Sequence, residues 1–323
     1  MTHPFELNRI YCPACDTKYD VTGLPEFSRF DCPECGAELT VPRFFDRYLL
    51  WRLCGHGGMA GIYEGTEPET DREVAVKIMT PDAAREIGEA HFLAEARLIT
   101  RISHPGIVPV YDCGIFQGQP FLVMRFMPGG NLEAAQKQKR LPKDPAVICG
   151  WIAVVADGLR VMFREGFLHH DIKPANILLD GEGHAALSDF DLISHAGGNA
   201  SVNDENWVSP AYASPERLIY GDDGVKGDIF SLGVTAYELL TRQAPFNPKG
   251  EPAQLLEERR HPLFLPVRDM VPEIGSRLSA LIGRMLAWEP AERPDYPEIV
   301  EVFRRESEGR GLSLKDRLGR FFQ

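Results

Sequence analysis

The chain has no apolar run approaching the roughly 18 residues that a membrane-spanning helix needs. Its first stretch, MTHPFELNRIYC, lacks the basic start and apolar core of a secretory leader, so a cytoplasmic location is the expectation. Positive charge is scarce: 35 Lys and Arg stand against 47 Asp and Glu, a formal net charge of -12. A surface of that sign repels phosphate backbones and anionic lipid, which argues against a polyanion-binding function. Cysteines are few and unevenly spread, with four of the seven before residue 36 and Cys54, Cys113 and Cys149 scattered through apolar contexts. That distribution excludes a disulfide framework and points to a metal site plus core thiols in a reducing compartment. Apolar residues are plentiful: 44% of 323 residues, with 10% aromatic, enough for one large domain and a small one.

The small one is at the front. Cys12-Pro-Ala-Cys15 and Cys32-Pro-Glu-Cys35 repeat a C-x2-C pair, inside the spacing range of a four-thiolate zinc site. Each pair forms a tight knuckle with converging sulfurs, and a tetrahedral Zn²⁺ closes one knuckle onto the other. The pattern resembles a zinc ribbon over residues 1–45, with short strands expected around Tyr11, Tyr19 to Val21 and Leu39 to Val41. So short a segment buries little, so the metal is expected to supply most of its folding energy, about 10–16 kcal/mol in comparable peptides. Four protein thiolates leave no open coordination position, so the zinc is structural or serves docking. Residues 1–45 carry seven acidic and four basic side chains, and four thiolates on one Zn²⁺ add a formal -2. The expected partner of the ribbon is therefore a protein and not nucleic acid.

From Tyr48 the pattern becomes apolar strand sequence, YLLWRLCGHGGMAGIYEG, then a turn at Glu67 to Asp71, then REVAVKIM. Gly55, Gly57 and Gly58 fall at the first turn, where the lack of side chains lets backbone N–H groups approach a phosphate. On its own this is as readily an empty hairpin turn, since the third glycine of G-x-G-x-x-G is Ala60 here. Val74-Ala-Val-Lys77 follows, then DAAREIGEAHFLAEARLITRIS, in which Phe92, Ala96, Ile99 and Ile102 share an inner helical face beside Glu95. PFLVMRFMPGGNL continues with Met124 and Arg125, and then comes His169-His170-Asp171-Ile172-Lys173-Pro174-Ala175-Asn176. Thirteen residues past Asn176, LSDFD supplies Asp189 and Phe190; Ala213-Ser-Pro-Glu216, Asp228 and Arg293 follow in order.

These motifs, over about residues 48–305, resemble the eukaryotic-like serine/threonine protein kinases of bacteria. The resemblance implies an α+β, bilobal kinase fold: a small antiparallel β lobe with one helix and a larger α-helical lobe. The organisation expected is a ribbon at 1–45, a kinase domain at 46–305 and a tail at 306–323. It further implies ATP with Mg²⁺ or Mn²⁺ as cofactors and a protein as substrate. Lys77 would hold the α- and β-phosphates and pair with Glu95, and Met124 would back the adenine pocket. Asp171 would accept the substrate hydroxyl's proton and Lys173 neutralise the transferring group, a Lys there marking the serine/threonine branch. Asn176 and Asp189 would bind Mg²⁺. Glu216 and Arg293 would form a buried ion pair, Asp228 would hold the catalytic-loop backbone, and Ser209 would brace Asp171 and Lys173.

Three departures accompany the match. His170 stands where an Arg usually grips a phosphate on the activation loop, and the segment from Asp189 to Glu216 contains no threonine. Loss of reader and target together implies activity independent of loop phosphorylation. Asp191 replaces the glycine of D-F-G, restricting the swing of Phe190 and adding a carboxylate near the metal. Ala60 is a smaller change. A chain drifting from catalysis is expected to lose some of Lys77, Glu95, Asp171, Lys173, Asn176 and Asp189, and all are kept. The leading reading is an active kinase; the rival is a pseudokinase scaffold that displays surfaces to partners. In the tail, Leu314, Leu318, Phe321 and Phe322 share a helical face away from Lys315, Arg317 and Arg320, which suits packing on protein better than lying on a membrane surface.

Overall fold

The computed structural model describes residues 9–309 except 13, 58, 89–91, 94–95, 98, 191–193, 196–208, 222 and 248. Gly58, Glu95, Asp191 and the tail from 310 onward thus lie outside the described residues. The chain divides into two compact units, Met1–Arg101 with Pro109–Phe126, and Ile102–Val108 with Met127–Gln323.

The first unit begins with two hairpins: β1 (Arg9–Tyr11) with β2 (Lys18–Asp20), and β3 (Arg29–Asp31) with β4 (Glu38–Thr40). Strand β3 was not among the expected strands; its RFD triplet is too short to show an alternation. Around the knuckles Ile10, Val21, Leu39 and Val41 pack with Cys12 and Cys32 into a small buried cluster. Six antiparallel strands follow in the order β5-β6-β7-β8-β10-β9. They are β5 (Arg43–Phe45), β6 (Tyr48–His56), β7 (Ala60–Glu67), β8 (Arg72–Met79), β9 (Val110–Phe116) and β10 (Gln119–Arg125). β9 and β10 join through Gln117 and Gly118, both at positive φ (51° and 74°), the backbone of a two-residue hairpin turn matched to strand twist.

Every residue of β8 from Val74 to Met79 is buried, because the strand is interior and covered on both faces. Val74, Val76 and Ile78 point to one face, where they meet Phe45, Tyr48, Leu50, Phe121 and Val123. The period of two places Ala75, Lys77 and Met79 on the other. α1 (Pro81–Ile87) starts where the Thr80 hydroxyl accepts the Ala83 N–H, a Thr-Pro start signal. Among the expected helical positions that follow, Ala96, Ile99 and Ile102 are buried.

In the second unit, β11 (Gly130–Asn131) leads into α2 (Leu132–Lys137), and α3 (Pro145–Arg164) is capped by Asp144 with Pro at its first position. α3 is long and apolar enough to cross a membrane by composition, yet 72% of its most apolar window is buried inside the unit, as in a core helix. It is packed by α5 (Val225–Thr241) and α9 (Tyr296–Glu308), with α4 (Pro215–Tyr220), α6 (Pro252–Arg260), α7 (Val267–Met270) and α8 (Ser276–Met285) around them. β12 (Phe167–Leu168) pairs with β15 (Ser194–His195), and β13 (Ile177–Leu179) pairs with β11 and with β14 (Ala185–Leu187). The segment between β12 and β13 carries the candidate site.

Candidate active site

The loop from His169 to Lys173 is hung on one carboxylate. Asp228, in the first turn of α5, accepts the backbone N–H groups of His169 (2.9 Å) and His170 (2.8 Å). His169 is fully buried; its Nε2 lies 3.1 Å from the Ser188 carbonyl and its Nδ1 accepts the Asp171 N–H at 3.3 Å. These partners assign the proton to Nε2. Burial pulls the His169 pKa below its ordinary value and so keeps the ring neutral, which that hydrogen-bond pattern requires. Its ring also meets Phe190 edge to face at 5.8 Å.

The side chains that this loop presents converge. Asp171 Oδ2 accepts from Lys173 Nζ at 2.7 Å and from Asn176 Nδ2 at 2.9 Å, while Oδ1 accepts from the Ser209 hydroxyl at 3.0 Å. Lys173 Nζ also donates to Ser209 Oγ at 2.7 Å. A carboxylate has about four lone-pair sites, so three donors set its plane and leave one site. Asn176 commits its amide nitrogen to Asp171, with a second bond to the Asp171 carbonyl at 2.7 Å, so its Oδ1 is the atom suited to a cation. Ser188, the residue before Asp189, donates through N–H (2.8 Å) and hydroxyl (3.1 Å) to the Asn176 carbonyl. Both His170 and Asp189 have positive φ (64° and 68°), strain that the surrounding hydrogen bonds must hold.

Downstream, Ser214 caps α4 and donates to Asp223 Oδ2 at 2.8 Å. The expected Glu216–Arg293 pair is present and bidentate, at 2.5 and 2.9 Å. Arg293 places its other donors on the carbonyls of Lys226, Ala287 and Trp288, so a buried guanidinium has every N–H matched. His170 does not face outward as a phosphate reader would. Its side chain is 3% exposed, with Nδ1 2.9 Å from Asp223 Oδ1, and Arg217 Nη1 lies 3.3 Å from the same nitrogen. Burial lowers the His170 pKa, but the Asp223 hydrogen bond and the Asp228 charge outweigh it and hold the value above the ordinary one. Asp223 went unnoticed in sequence because Gly-Asp-Asp-Gly reads as a turn, and no local signal turns one of its carboxylates inward.

In the first unit, Gly55 and Gly57 fall at the β6 end of the β6–β7 turn, and the Gly57 N–H reaches the Ala60 carbonyl at 3.0 Å. Among the described residues, a Cβ at either glycine would meet no atom within 4 Å, and neither has positive φ, so neither their packing nor backbone strain demands glycine there. Ala60 opens β7 opposite Met79 and is buried against Met79, Ala83 and Ala84; its methyl fills a packing site. Lys77 is 6% exposed in β8, and Met124 is 4% exposed in β10 opposite Ala75. Glu95, the expected partner of Lys77, lies outside the described residues.

The four ribbon sulfurs lie within 4.8 Å of one another, with Cys12 to Cys35 and Cys15 to Cys32 each at 3.6 Å. The knuckles repeat in detail. Asp16 N–H bonds the Cys12 carbonyl and Gly36 N–H the Cys32 carbonyl, both at 2.8 Å, with Asp16 and Gly36 both at positive φ. The Tyr19 hydroxyl lies in hydrogen-bond contact with Cys32 Sγ at 3.0 Å. Burial pushes the Cys32 thiol up, but that hydroxyl and the Cys35 and Glu34 amides bring it down to about 6. A soft, converging, four-sulfur set with thiolate-stabilising donors fits Zn²⁺.

Comparison with known proteins agrees with this geometry. The protein kinase domain family matches residues 48–302. The chain is 34% identical over 264 residues to serine/threonine-protein kinase PknJ of Mycobacterium tuberculosis, covering 79% of this chain and 44% of that protein. It is 34% identical to serine/threonine-protein kinase PknL of Mycobacterium bovis over 79% of this chain and 64% of that protein. To the DNA damage-responsive serine/threonine-protein kinase RqkA of Deinococcus radiodurans it is 30% identical over 77% of this chain and 37% of that protein. The chain thus spans less than two thirds of the length of these curated relatives.

Proposed function

Since the chain belongs to the protein kinase family, we propose that it transfers the γ-phosphoryl group of ATP to a serine or threonine hydroxyl of a protein. The observation that carries this reading is the Asp171 carboxylate, held by Lys173, Asn176 and Ser209 with one acceptor site left for an incoming hydroxyl. Asp171 takes up that hydroxyl's proton and aims its oxygen along the line of displacement. Lys173, bridging Asp171 and Ser209, lies beside the path of the transferred group and offsets its charge.

Mg²⁺ or Mn²⁺, when bound, neutralises charge on the β- and γ-phosphates. Asn176 through Oδ1 and Asp189 through its carboxylate are the residues that would hold it. Gly55 and Gly57, which the protein's own packing leaves without need of glycine, let backbone amides approach the phosphates, with Lys77 on the α- and β-phosphates. His170 is tied to Asp223, so the loop is anchored by a carboxylate of the chain itself. This supports activity that needs no phosphate on the activation segment.

Cys12, Cys15, Cys32 and Cys35 would hold a structural Zn²⁺, and the closed sulfur set supports a docking role with a protein partner. Transfer of labelled γ-phosphate to a basic protein tests the kinase reading. Asp171→Asn is expected to lower turnover by about 10²–10⁴-fold. A wild type no faster than that variant would favour the pseudokinase scaffold.

A further inference from the structure

Five of the six residues from Ser209 to Ser214 are gripped by groups from elsewhere in the chain. Ser209 binds Asp171 and Lys173, Tyr212 donates its hydroxyl to Glu238 at 2.7 Å, Ser231 donates to the Tyr212 carbonyl at 2.9 Å, and Ser214 binds Asp223. The two carbonyls between, those of Pro210 and Ala211, are taken by one atom from a distant helix: Nη2 of Arg259 in α6, at 2.7 and 3.2 Å. Proline offers no N–H, so its carbonyl is the only backbone handle at position 210.

Arg259 is an unusual residue to find there. It is 1% exposed, and among the described residues no carboxylate lies within ion-pair distance of it, though the Glu258 charge acts on it. Its guanidinium lies over the rings of Phe246 (4.9 Å) and Phe230 (5.6 Å), which are themselves stacked, and its Nε and Nη1 are buried without a hydrogen-bond acceptor among the described residues. Burial lowers its pKa to about 10, so it remains a cation at neutral pH. Among the described residues the charge is met by two carbonyls and two ring faces, with the neighbouring Glu258 charge acting on it but not bonded to it, and such burial is costly, where a buried Met would pack the same volume more cheaply. A side chain kept under that cost is expected to do something an apolar one cannot.

We propose that Arg259 is a positioning residue for phosphoryl transfer: by clamping the Pro210 and Ala211 carbonyls it holds Ser209 at the distance from which its hydroxyl orients Asp171 and Lys173. The proposal rests on the kinase reading above. A rigid clamp one residue from the brace fixes the Ser209 Cα, and a shift of about 1 Å there would break bonds of 2.7 and 3.0 Å and cost up to about 100-fold in rate.

The test is steady-state kinetics of Arg259→Met, Ser209→Ala and the double variant, with rates referred to folded protein. Arg259→Met is expected to lower kcat by about 10–100-fold while leaving the KM for ATP within about twofold, because its effect reaches the Asp171 side of the reaction. If Arg259 acts through Ser209, the double variant is no slower than the slower single variant. An unchanged kcat, or losses that multiply in the double variant, would overturn the proposal. Should Arg259→Met not fold, Arg259→Gln, too short to reach both carbonyls, carries the same comparison. If the wild type itself transfers no more phosphate than Asp171→Asn, the kinase reading has failed. Hydrogen exchange at the Tyr212 and Ala213 amides, both bonded to the Ser209 carbonyl, then decides the clamp. Faster exchange in Arg259→Met supports it, and unchanged exchange sinks it.

Discussion

Six side chains form the buried cluster of the ribbon, two of them cysteines of the four-sulfur set, whereas α3 alone buries fourteen residues. The same chain therefore orders its two ends by different means. Between Arg9 and Thr40 there is little apolar surface to offset chain entropy, and a metal held by the four converging sulfurs would make up the difference. In the helical unit, burial is ample, and polar groups can be spent on holding Asp171, His169 and Glu216 in place. Order supplied by a metal would be local and removable; packing order is spread over many contacts and supports the strained loop at His170 and Asp189.

Removing the metal is the largest expected effect on that contrast. Chelation, or Cys32→Ala, is expected to unfold the ribbon by forfeiting about 10–16 kcal/mol of apparent binding energy while the amides of α3 and α5 stay protected. Hydrogen exchange resolved by residue checks this, and ribbon amides that stay protected under chelator would break the contrast. Arg293→Met comes next. It strands Glu216 and is expected to cost about 3–5 kcal/mol, read as a lowered unfolding midpoint in the helical unit with ribbon protection unchanged.

Smaller is the coupling of the ribbon to the sheet it adjoins. Phe27 stacks on Tyr63 of β7 at 5.9 Å, and Arg43 lies over the Phe45 and Tyr63 rings. Phe27→Ala is expected to cost about 1 kcal/mol, seen as ribbon amides that open without β5–β7 opening. If they open together, the ribbon and the sheet form a single cooperative unit.

The smallest effect concerns pH. The folded His170 pKa is raised, so its contribution to stability is complete below the unfolded value near 6.5 and fades as pH climbs through the folded value. His169 has a lowered pKa and works the other way, weakening the fold as pH falls below about 6.5. His170→Gln is expected to flatten the alkaline-side decline, at most about 1.4 kcal/mol per pH unit, and to leave the acid-side decline intact. Midpoints of urea unfolding between pH 5 and 8.5 measure both slopes. An undiminished alkaline decline in His170→Gln would show that the Asp223 pair does not titrate.

Much of the site could be read in one dimension because its residues are close along the chain. Asp171, Lys173 and Asn176 lie within six positions, and the cysteine knuckles repeat at short spacing. The Glu216–Arg293 pair was legible only through a family resemblance, since 77 positions separate its members. Asp223 and Arg259 were not legible at all. The first sits in a turn-like Gly-Asp-Asp-Gly, the second in Glu-Glu-Arg-Arg, which reads as an exposed helix face. Ala60 was read as a small change at the glycine loop, and what the sequence did not show is that its methyl packs with Met79, Ala83 and Ala84.

By itself, then, the order of residues determined the four-sulfur site and the placement of the strand and helix signals, because those depend on side-chain chemistry and local backbone preference, while the groups around Asp171 were named through the family resemblance. Only the tertiary structure decided which charges turn inward: His170 to Asp223, and Arg259 onto two carbonyls and two rings. The reason is that burying a charge depends on acceptors brought from distant parts of the chain, and local sequence carries no record of which ones will meet it.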